Sequence, residues 1–275
     1  MIIDSWMIPA TAETVERWMA DPRYRHGFRT VFGADAITPR TPAEMVAEMD
    51  SAGVDRAVLT SMADLHGEIA TAEQVSEICE QYPDRFLGSF CYDPFGVMAS
   101  LNHLESLLGA GRFGSAIVLP WAFDIPPDDA RWYPLYSFAE RAGIPVTIQV
   151  GHTAPLFRSS LGRPMLVEDV ALAFPELKIV LGHLGWPWVD EVIALVGKYP
   201  NLYVDTSAYS PSRIPPALLD FMQSTKGSAK VLFGSDYPAL ALDRLVSSAM
   251  RLPIPQACLD RYLGRNALNV FTWGG

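Results

Sequence analysis

Short apolar runs along the chain alternate with segments in which apolar residues recur every three or four positions. The runs are rich in valine and isoleucine, which is typical of strands buried on both faces of a parallel sheet. Most runs end at a glycine, a proline or a polar residue, as strands entering turns do. We predict strands at Ile2–Asp4, Arg56–Met62, Phe86–Tyr92, Ser115–Leu119, Pro145–Val150, Lys178–Leu181, Leu202–Asp205 and Val231–Phe233.

The segments with helical periodicity follow the predicted strands in turn. The clearest start is TPAE at Thr41–Glu44, where threonine can cap the helix, proline fits its first turn and glutamate can complete a capping box. This helix should run to Ala52 and stop at Gly53. Further helices are predicted at Ala12–Met19, Thr71–Gln81, Ala99–Leu108, Ala130–Ala142, Leu166–Phe174, from Val189 onward, Pro216–Gln223, Leu240–Arg251 and Gln256–Asn269.

Regular alternation of strands and helices implies a parallel sheet, and eight such units close into a barrel. The sequence therefore predicts an α/β fold, a (β/α)8 TIM-type barrel in which residues 1–275 form a single domain. An open, doubly wound sheet is the alternative. No Gly-x-Gly-x-x-Gly follows the first strand, so the sequence gives no support for dinucleotide binding.

Residues 5–40 interrupt this regular pattern with several prolines and glycines. We predict a long first loop that holds one helix, Ala12–Met19, in which Thr11 can act as the cap. Loops of this length in compact domains are usually functional. Segment 5–40 is therefore a candidate lid over the barrel mouth.

Composition excludes several classes of protein. Among 275 residues the formal net charge is −10, whereas nucleic-acid and anionic-membrane surfaces need clustered lysine and arginine. The three cysteines are widely spaced and form no zinc-like pair. The first residues do not resemble a signal peptide, and no apolar run is long enough to span a bilayer. We therefore expect a cytoplasmic protein that binds a small molecule.

Polar residues collect where the predicted strands end, at the face on which barrel enzymes build their active sites. His183 directly follows a strand that stops at Gly182, and Asp236 lies in the turn FGSDYP. The other strand ends contribute further polar and aromatic side chains, some of which, such as Asp93 and Asp205, could equally cap the next helix. The main candidates are Asp4, Trp6, Gln149, His152, His183 and Asp236, together with Ser61, Asp93, Trp121, Asp205 and Ser207.

Three segments resemble one known family. They are GHLGWPW at 182–188, NLYVDTSA at Asn201–Ala208 and LFGSDYP at Leu232–Pro238. They are similar to the amidohydrolase-2 branch of the amidohydrolase superfamily, which includes aminocarboxymuconate-semialdehyde decarboxylase, γ-resorcylate decarboxylase and lactone hydrolases. The resemblance is strongest from Ile144 to Phe271. It implies a distorted (β/α)8 barrel that holds a divalent metal at its mouth.

The resemblance also implies a set of metal ligands, of which this chain retains a minority. Family members use His-x-His after the first strand, a histidine after the fifth, often one after the sixth, and an aspartate after the eighth. His183 and Asp236 match the last two. Trp6 and Ile8 replace the histidine pair and Gln149 replaces the fifth-strand histidine, so three of five usual ligands are lost. Catalytic zinc normally has three protein ligands, and we therefore expect no tightly bound metal cofactor.

A metal-free site would depend on His183 and Asp236 as the catalytic pair. If the two lie within hydrogen-bonding distance, the carboxylate would orient the imidazole and raise its pKa, giving an acid or base near neutral pH. Trp6 would form a flat wall for an unsaturated substrate. Asp4 is also expected at the substrate site. Gln149 and His152 could orient a carbonyl or carboxylate group.

The loop His152–Pro164 carries two arginines that could bind a substrate carboxylate in bidentate fashion. Arg163 is the candidate that we assign to substrate binding. A solvated loop arginine is an equally good interpretation of Arg163 and a better one of Arg158.

These residues predict a hydrolase or decarboxylase that acts on a small cyclic or aromatic carboxylic acid or lactone. One alternative retains zinc or manganese on His183 and Asp236, with help from His152 or Asp4. Another is a non-catalytic subunit that pairs with an active paralogue. Members of the resembled family commonly dimerise, so the resemblance also implies a homodimer.

Overall fold

Eight parallel strands form a barrel in the computed structural model, which describes residues 1–33 and 37–273. Neighbouring barrel strands follow the order β1-β2-β5-β6-β7-β8-β9-β10, and a separate antiparallel hairpin consists of β3 and β4. The strands are β1 (Ile3–Met7), β2 (Arg56–Thr60), β3 (Met62–Asp64), β4 (Gly67–Ala70), β5 (Phe86–Cys91), β6 (Phe113–Val118), β7 (Val146–Gln149), β8 (Ile179–Gly182), β9 (Leu202–Asp205) and β10 (Val231–Leu232).

Backbone hydrogen bonds between β1 and the chain after β10 close the barrel. The Ser5 amide donates to the Phe233 carbonyl at 3.0 Å, and the Ile8 amide donates to the Tyr237 carbonyl at 2.9 Å. The predicted single-domain (β/α)8 barrel is confirmed. Because β10 is only two residues long, the segment that follows it takes part in closure and is held at the mouth.

The α-helices alternate with the strands and cover the barrel's outside. In the described part of the chain they are α1 (Ala12–Ala20), α2 (Pro22–Thr30), α3 (Pro42–Ala52), α4 (Ala72–Gln81), α5 (Val97–Gly109), α6 (Pro120–Phe123), α7 (Tyr133–Ala142), α8 (Glu168–Ala173), α9 (Val189–Lys198), α10 (Pro216–Gln223), α11 (Leu242–Ala249), α12 (Gln256–Asp260) and α13 (Asn266–Val270). Among the described residues, no helix is both long and apolar enough to cross a membrane.

The capping prediction for α3 is confirmed in detail. Thr41 and Glu44 form a reciprocal capping box, and Gly53 ends the helix in the left-handed conformation with φ 76°. The predicted helix at Gln256–Asn269 is confirmed, because the chain is helical from Gln256 to Val270. A π-helical turn at Arg261–Arg265 lies within it, between α12 and α13.

The prediction of an irregular loop at 5–40 with a single helix is wrong. Strand β1 extends to Met7, and a second helix, α2, begins at Asp21, whose side chain caps it. Pro22 occupies the first turn of α2, where its missing N–H costs no hydrogen bond, so this proline begins a helix and does not mark a loop. The lid role of the segment stays a prediction.

The amino end of the barrel is filled with apolar side chains. Ile3, Val58, Leu87, Val180 and Leu232, one from each of five strands, form a buried cluster with Ala267, Val270 and Phe271 of the C-terminal segment. This packing closes one end of the barrel and leaves the opposite, carboxyl end as the open face.

Candidate active site

A cavity of about 110 Å³ opens at the carboxyl end of the barrel. Of the residues predicted for the site, six line it: Trp6, Trp121, Gln149, His152, His183 and Asp236. They come from the ends of β1, β6, β7 and β8 and from the segment after β10. The register explains the convergence, because Gln149 lies opposite Gly182 and Asp205 lies opposite Leu232, so the strands end at one level.

The other predicted residues lie outside the cavity wall; they are Asp4, Ser61, Asp93, Arg163, Asp205 and Ser207. Asp4 is fully buried beneath it, where one carboxylate oxygen accepts hydrogen bonds from the backbone amides of Trp6, at 3.1 Å, and Ser235, at 2.9 Å. Asp4 therefore joins β1 to the segment after β10 and does not contact the space a substrate would occupy. This placement corrects the prediction that Asp4 binds substrate directly.

Arg163 also lies outside the cavity wall. Its guanidinium forms an ion pair with Glu191 at 2.8 Å, and its side chain is 56% exposed. Arg158 likewise pairs with Asp124, at 2.5 Å. Neither arginine lines the cavity, so the bidentate carboxylate clamp predicted for loop 152–164 is not assembled.

The backbone is strained where the candidate catalytic residues are held. His183 has φ 67°, Asp236 has φ 63° and Ala208 has φ 66°, in a region that residues other than glycine rarely occupy. Each such conformation costs roughly 1–3 kcal/mol and persists only where surrounding structure enforces it. All three residues line the cavity, which indicates that these side chains are aimed by the fold.

The imidazole of His183 is held by two residues at the end of β9. Its Nδ1 lies 2.6 Å from Ser207 Oγ, and the Ser207 hydroxyl donates in turn to Asp205 Oδ1. The same carboxylate oxygen accepts from the backbone amides of His183, at 3.0 Å, and Ser207, at 2.9 Å. Asp205, Ser207 and His183 thus form a continuous hydrogen-bonded series.

This series assigns the tautomer of His183. The Ser207 proton is committed to Asp205, so Ser207 Oγ can only accept from the ring, and Nδ1 must carry the proton. Nε2 is then the unprotonated nitrogen. Among the described residues it has no hydrogen-bond partner, and the residue lines the cavity, so a lone pair is available to whatever the cavity contains.

The prediction that Asp236 orients His183 is wrong. The predicted rise in the pKa of His183 is also wrong in direction. Asp205, acting through Ser207, orients the ring, and the described residues show no hydrogen bond between His183 and Asp236. Burial lowers the pKa of His183 to about 3 because desolvation penalises the imidazolium. His183 is therefore neutral at physiological pH.

The pKa of Asp236 is shifted in the opposite direction to that of His183. Burial raises the pKa of its carboxyl well above the usual range, and the neighbouring carboxyls of Asp205 and Asp4 raise it further. Burial likewise raises the pKa of Asp4, to about 7, and the pKa of Asp205. Three acids thus share the end of the barrel, and their proximity favours protonation of Asp236, the one that faces the cavity.

The cavity walls are largely aromatic. The Trp6 ring lies against His183 with centroids 4.4 Å apart, and its Nε1–H has no hydrogen-bond partner in the described structure. Gly182 makes this contact feasible, because a Cβ there would lie 2.6 Å from the Trp6 ring. Trp121 Nε1 donates to Gln149 Oε1, which leaves the Gln149 amide N–H groups as donors.

Helices α1 and α2 form the outer wall. Trp18, Tyr24 and Phe28 from this segment line the cavity, and the Tyr24 hydroxyl donates to Asp64 at 3.0 Å. Tyr24 also packs edge-on against Trp121 and Phe157. The part of the chain predicted to be a lid is thus a packed aromatic wall in this structure.

The residues present do not fit the divalent metal that the resemblance implies. Within residues 1–33 and 37–273, no group of three or more histidine, cysteine, aspartate or glutamate side chains is arranged to hold a metal ion. An indole, which is only a donor, stands at the Trp6 position and is stacked on His183. Retained His183 and Asp236 fall short of the usual three protein ligands.

The sequence did not reveal that Ser207 orients His183. It allowed two roles for Asp205, as a site residue or as a helix cap. The usable signal was the spacing Asp205-x-Ser207 directly after a strand. Parallel pairing of β8 with β9 puts that pair beside His183, but only if the two strands are assumed to be neighbours in register.

Family comparison places the chain among known proteins. The amidohydrolase family matches residues 34–273. No curated protein sequence matches the chain at a significant level.

Solved structures share the fold over almost the whole chain. An uncharacterised TIM-barrel protein from Bordetella bronchiseptica is 25% identical, with 98% of this chain and 97% of that chain covered and a TM-score of 0.82. A dihydroxybenzoic acid decarboxylase from Polaromonas sp. JS666, with bound manganese and the inhibitor 2-nitroresorcinol, is 19% identical over 98% and 96% of the two chains, with a TM-score of 0.71. A probable 2-pyrone-4,6-dicarboxylic acid hydrolase from Acinetobacter baumannii, with citric acid bound, is 14% identical over 98% of each chain, with a TM-score of 0.69.

Proposed function

Because the chain belongs to the amidohydrolase family, we propose that it is a hydrolase of small cyclic or aromatic lactones or esters that works without a tightly bound metal. The observation that carries the proposal is the series Asp205–Ser207–His183, which presents an unprotonated Nε2 to the cavity. In this proposal His183 is the general base, Asp236 the general acid, and Asp205 and Ser207 are positioning residues.

The reaction follows from the two protonation states. His183 Nε2 takes a proton from a water molecule as the water oxygen bonds to the carbonyl carbon. Collapse of the tetrahedral intermediate breaks the carbon–oxygen bond to the leaving group, and Asp236 gives its proton to that oxygen. The products are a hydroxyl and a carboxylic acid, and the proton on His183 returns to Asp236 through solvent.

The pKa values of the pair support these roles. Burial keeps His183 unprotonated at neutral pH. Burial and the neighbouring carboxyls of Asp205 and Asp4 raise the pKa of Asp236, which favours the protonated form that a general acid needs. Pairs whose environments push their pKa values apart are typical of acid–base sites. His183 is a weak base, and Asp205 compensates by stabilising the positive charge that develops on the ring.

Carbonyl binding in this proposal uses the amide of Gln149, whose N–H donors have no partner among the described residues. Gln149 lines the cavity together with Trp6 and His183, and its oxygen already accepts from Trp121. Donors aimed at the developing oxyanion are commonly worth roughly 10²–10³-fold in rate each. His152, at the cavity wall, would contact the far side of the substrate.

Hydrolysis is favoured over decarboxylation by the charges around the cavity. A decarboxylase must bind a carboxylate, and none of the lining residues that the structure describes is a lysine or an arginine.

The protein's predicted cytoplasmic location, homodimeric state and lid movement remain predictions that this proposal does not need.

The test is hydrolysis of 2-pyrone, methyl coumalate and dihydrocoumarin, monitored by the absorbance change on opening of each lactone ring. The protein is first dialysed against EDTA, and its metal content is checked by elemental analysis. Turnover of at least one compound should survive metal removal within about twofold. His183→Asn should lower kcat by roughly 10²–10⁴-fold with an unchanged far-UV circular dichroism spectrum. His103→Asn, on the outside of α5 and paired with Glu73, is the matched control and should leave kcat unchanged.

Two results would contradict the proposal. Activity that appears only after zinc or manganese is added would establish the alternative of a reduced metal site. A protein that hydrolyses none of the three compounds would favour the non-catalytic subunit or the decarboxylase.

A further inference from the structure

The cavity wall contains no permanent cation. Among the described residues that line it, the ionisable groups are Asp236, His152, His183, Tyr24 and Tyr209, and none is a lysine or an arginine. Asp4 and Asp205 lie close enough to raise the pKa of Asp236. A ligand carboxylate would thus meet carboxyl groups and imidazoles, with no lysine or arginine to balance its charge.

The arginines nearest the mouth are already engaged with acidic partners. Arg23 pairs with Asp21 at 2.5 Å, Arg158 with Asp124 at 2.5 Å and Arg163 with Glu191 at 2.8 Å. Each would have to leave a carboxylate at short distance to reach a ligand. The loop that could supply a clamp therefore supplies none.

The rest of the wall suits a flat, apolar ring. Its aromatic members include Trp6, Trp18, Tyr24, Phe28, Phe32 and Trp121. An apolar protein cavity of roughly 150 Å³ accommodates one benzene, so a cavity of about 110 Å³ that opens to solvent has room for no more than one ring, with its substituents toward the mouth. The Nε2–H donors of Gln149 match a carbonyl oxygen on such a ring.

We infer that the cavity selects an uncharged, single-ring carbonyl compound and excludes the corresponding carboxylate. This inference makes the proposed function more specific. It rests on that proposal in one respect, that this cavity is the substrate site. Physically, an aromatic wall and neutral donors stabilise a neutral ring, whereas an anion would lose its hydration without gaining a cation.

Three nearly isosteric probes test this inference by charge alone. Benzamide is neutral, benzoate is an anion and benzamidinium is a cation at neutral pH. Isothermal titration calorimetry of each against the EDTA-treated protein should give benzamide a Kd at least tenfold lower than that of benzoate. Benzoate binding as tightly as benzamide, benzamidinium binding tightest, or no binding of any probe would each overturn the inference.

Two variants show whether charge is the cause. His152→Lys puts a cation at the cavity wall and should bring benzoate to at least the affinity of benzamide. His152→Gln puts an uncharged side chain at the same position and should leave the preference for benzamide over benzoate intact. Discrimination that survives His152→Lys would show that shape, and not charge, excludes benzoate.

Failure of this inference and of the proposed function are separable because the readout is binding. A protein that prefers benzamide but hydrolyses no lactone refutes the hydrolase and keeps the selectivity. One that hydrolyses 2-pyrone yet binds benzoate well refutes the selectivity and keeps the hydrolase.

Discussion

At the scale of single residues, the function depends on a hydroxyl between an acid and an imidazole. Ser207 accepts from His183 Nδ1 and donates to Asp205, so it transmits the orienting effect of a carboxylate that does not contact the ring. A carboxylate in direct contact would favour the imidazolium. The interposed serine fixes the tautomer while burial keeps the ring neutral.

Ser207→Ala should therefore reduce catalysis without unfolding the protein. The buried Nδ1–H of His183 would lose its acceptor and the ring would no longer be held in one tautomer. We expect kcat for lactone hydrolysis to fall by roughly 10–100-fold, with KM changed by less than about threefold. A KM effect with normal kcat would indicate that Ser207 shapes the cavity and does not position His183.

The buried carboxyl of Asp4 leads to a second prediction, that the free energy of unfolding depends on pH. Its pKa is raised to about 7 in the folded protein, so between about pH 4 and pH 7 the folded state binds more protons than the unfolded state. The contribution of Asp4 to stability is thus present below about pH 4 and is lost as the pH rises through about 7.

Asp4→Asn should remove this loss, since an amide oxygen can still accept from the Trp6 and Ser235 amides. The stability of the variant relative to wild type should rise between about pH 4 and pH 8, by on the order of 2–4 kcal/mol at about 1.4 kcal/mol per pH unit. Urea unfolding at several pH values measures it. A difference that is constant with pH would show that Asp4 titrates normally in the folded state.

At the scale of elements, α2 packs closely against the loop after β7 because Gly27 has no side chain. A Cβ on Gly27 would lie 2.7 Å from the Ala154 backbone, and Leu156 N donates to Arg23 O at 3.3 Å in the same interface. This contact joins the helix wall to the loop that carries His152. Helix α2 and the loop after β7 thus form one packed part of the cavity wall.

Gly27→Ala should separate these elements. We expect a loss of roughly 1–3 kcal/mol in the free energy of unfolding from the overpacked contact, accompanied by a raised KM. Gly197→Ala is the matched control, because a Cβ there meets only a Phe221 ring atom at 3.7 Å and alanine favours the helix. Equal effects of the two substitutions on KM would argue against a shared wall.

At the scale of the whole molecule, the barrel has one sealed end and one open end. Phe271 is buried among strand residues at the amino end, and the polar cluster is confined to the carboxyl end. The sealed end supplies stability, so the open end can carry buried acids and strained backbone.

Phe271→Ala tests this division. We expect a loss of roughly 3–5 kcal/mol in the free energy of unfolding with kcat unchanged in the protein that remains folded. Leu268→Ala, on the same segment but 42% exposed, should cost less than about 0.5 kcal/mol. Chemical denaturation and active-site titration measure the two quantities. A fall in kcat of the folded Phe271→Ala protein would mean that the two ends are coupled.

Most of the architecture could be predicted from local pattern. Leu202–Asp205 and Pro216–Gln223 were predicted at their observed bounds, and the capping box at Thr41 was correct. The hairpin of β3 and β4 was not anticipated, because its short strands lie partly exposed and show no regular alternation. Helix α2 was missed for a related reason, since Pro22 is as common at a helix start as in a loop.

The sequence by itself determined the eight strands, their order of succession, the family and the loss of three metal-ligand positions, because these depend on nearest neighbours and on residue identity. Only the tertiary structure decided that His183 is held by Ser207 and Asp205, that Arg163 turns to Glu191, and that burial lowers the pKa of His183. Those outcomes depend on strand register and on solvent exclusion. Both are properties of residues distant in the chain that only the closed barrel brings together.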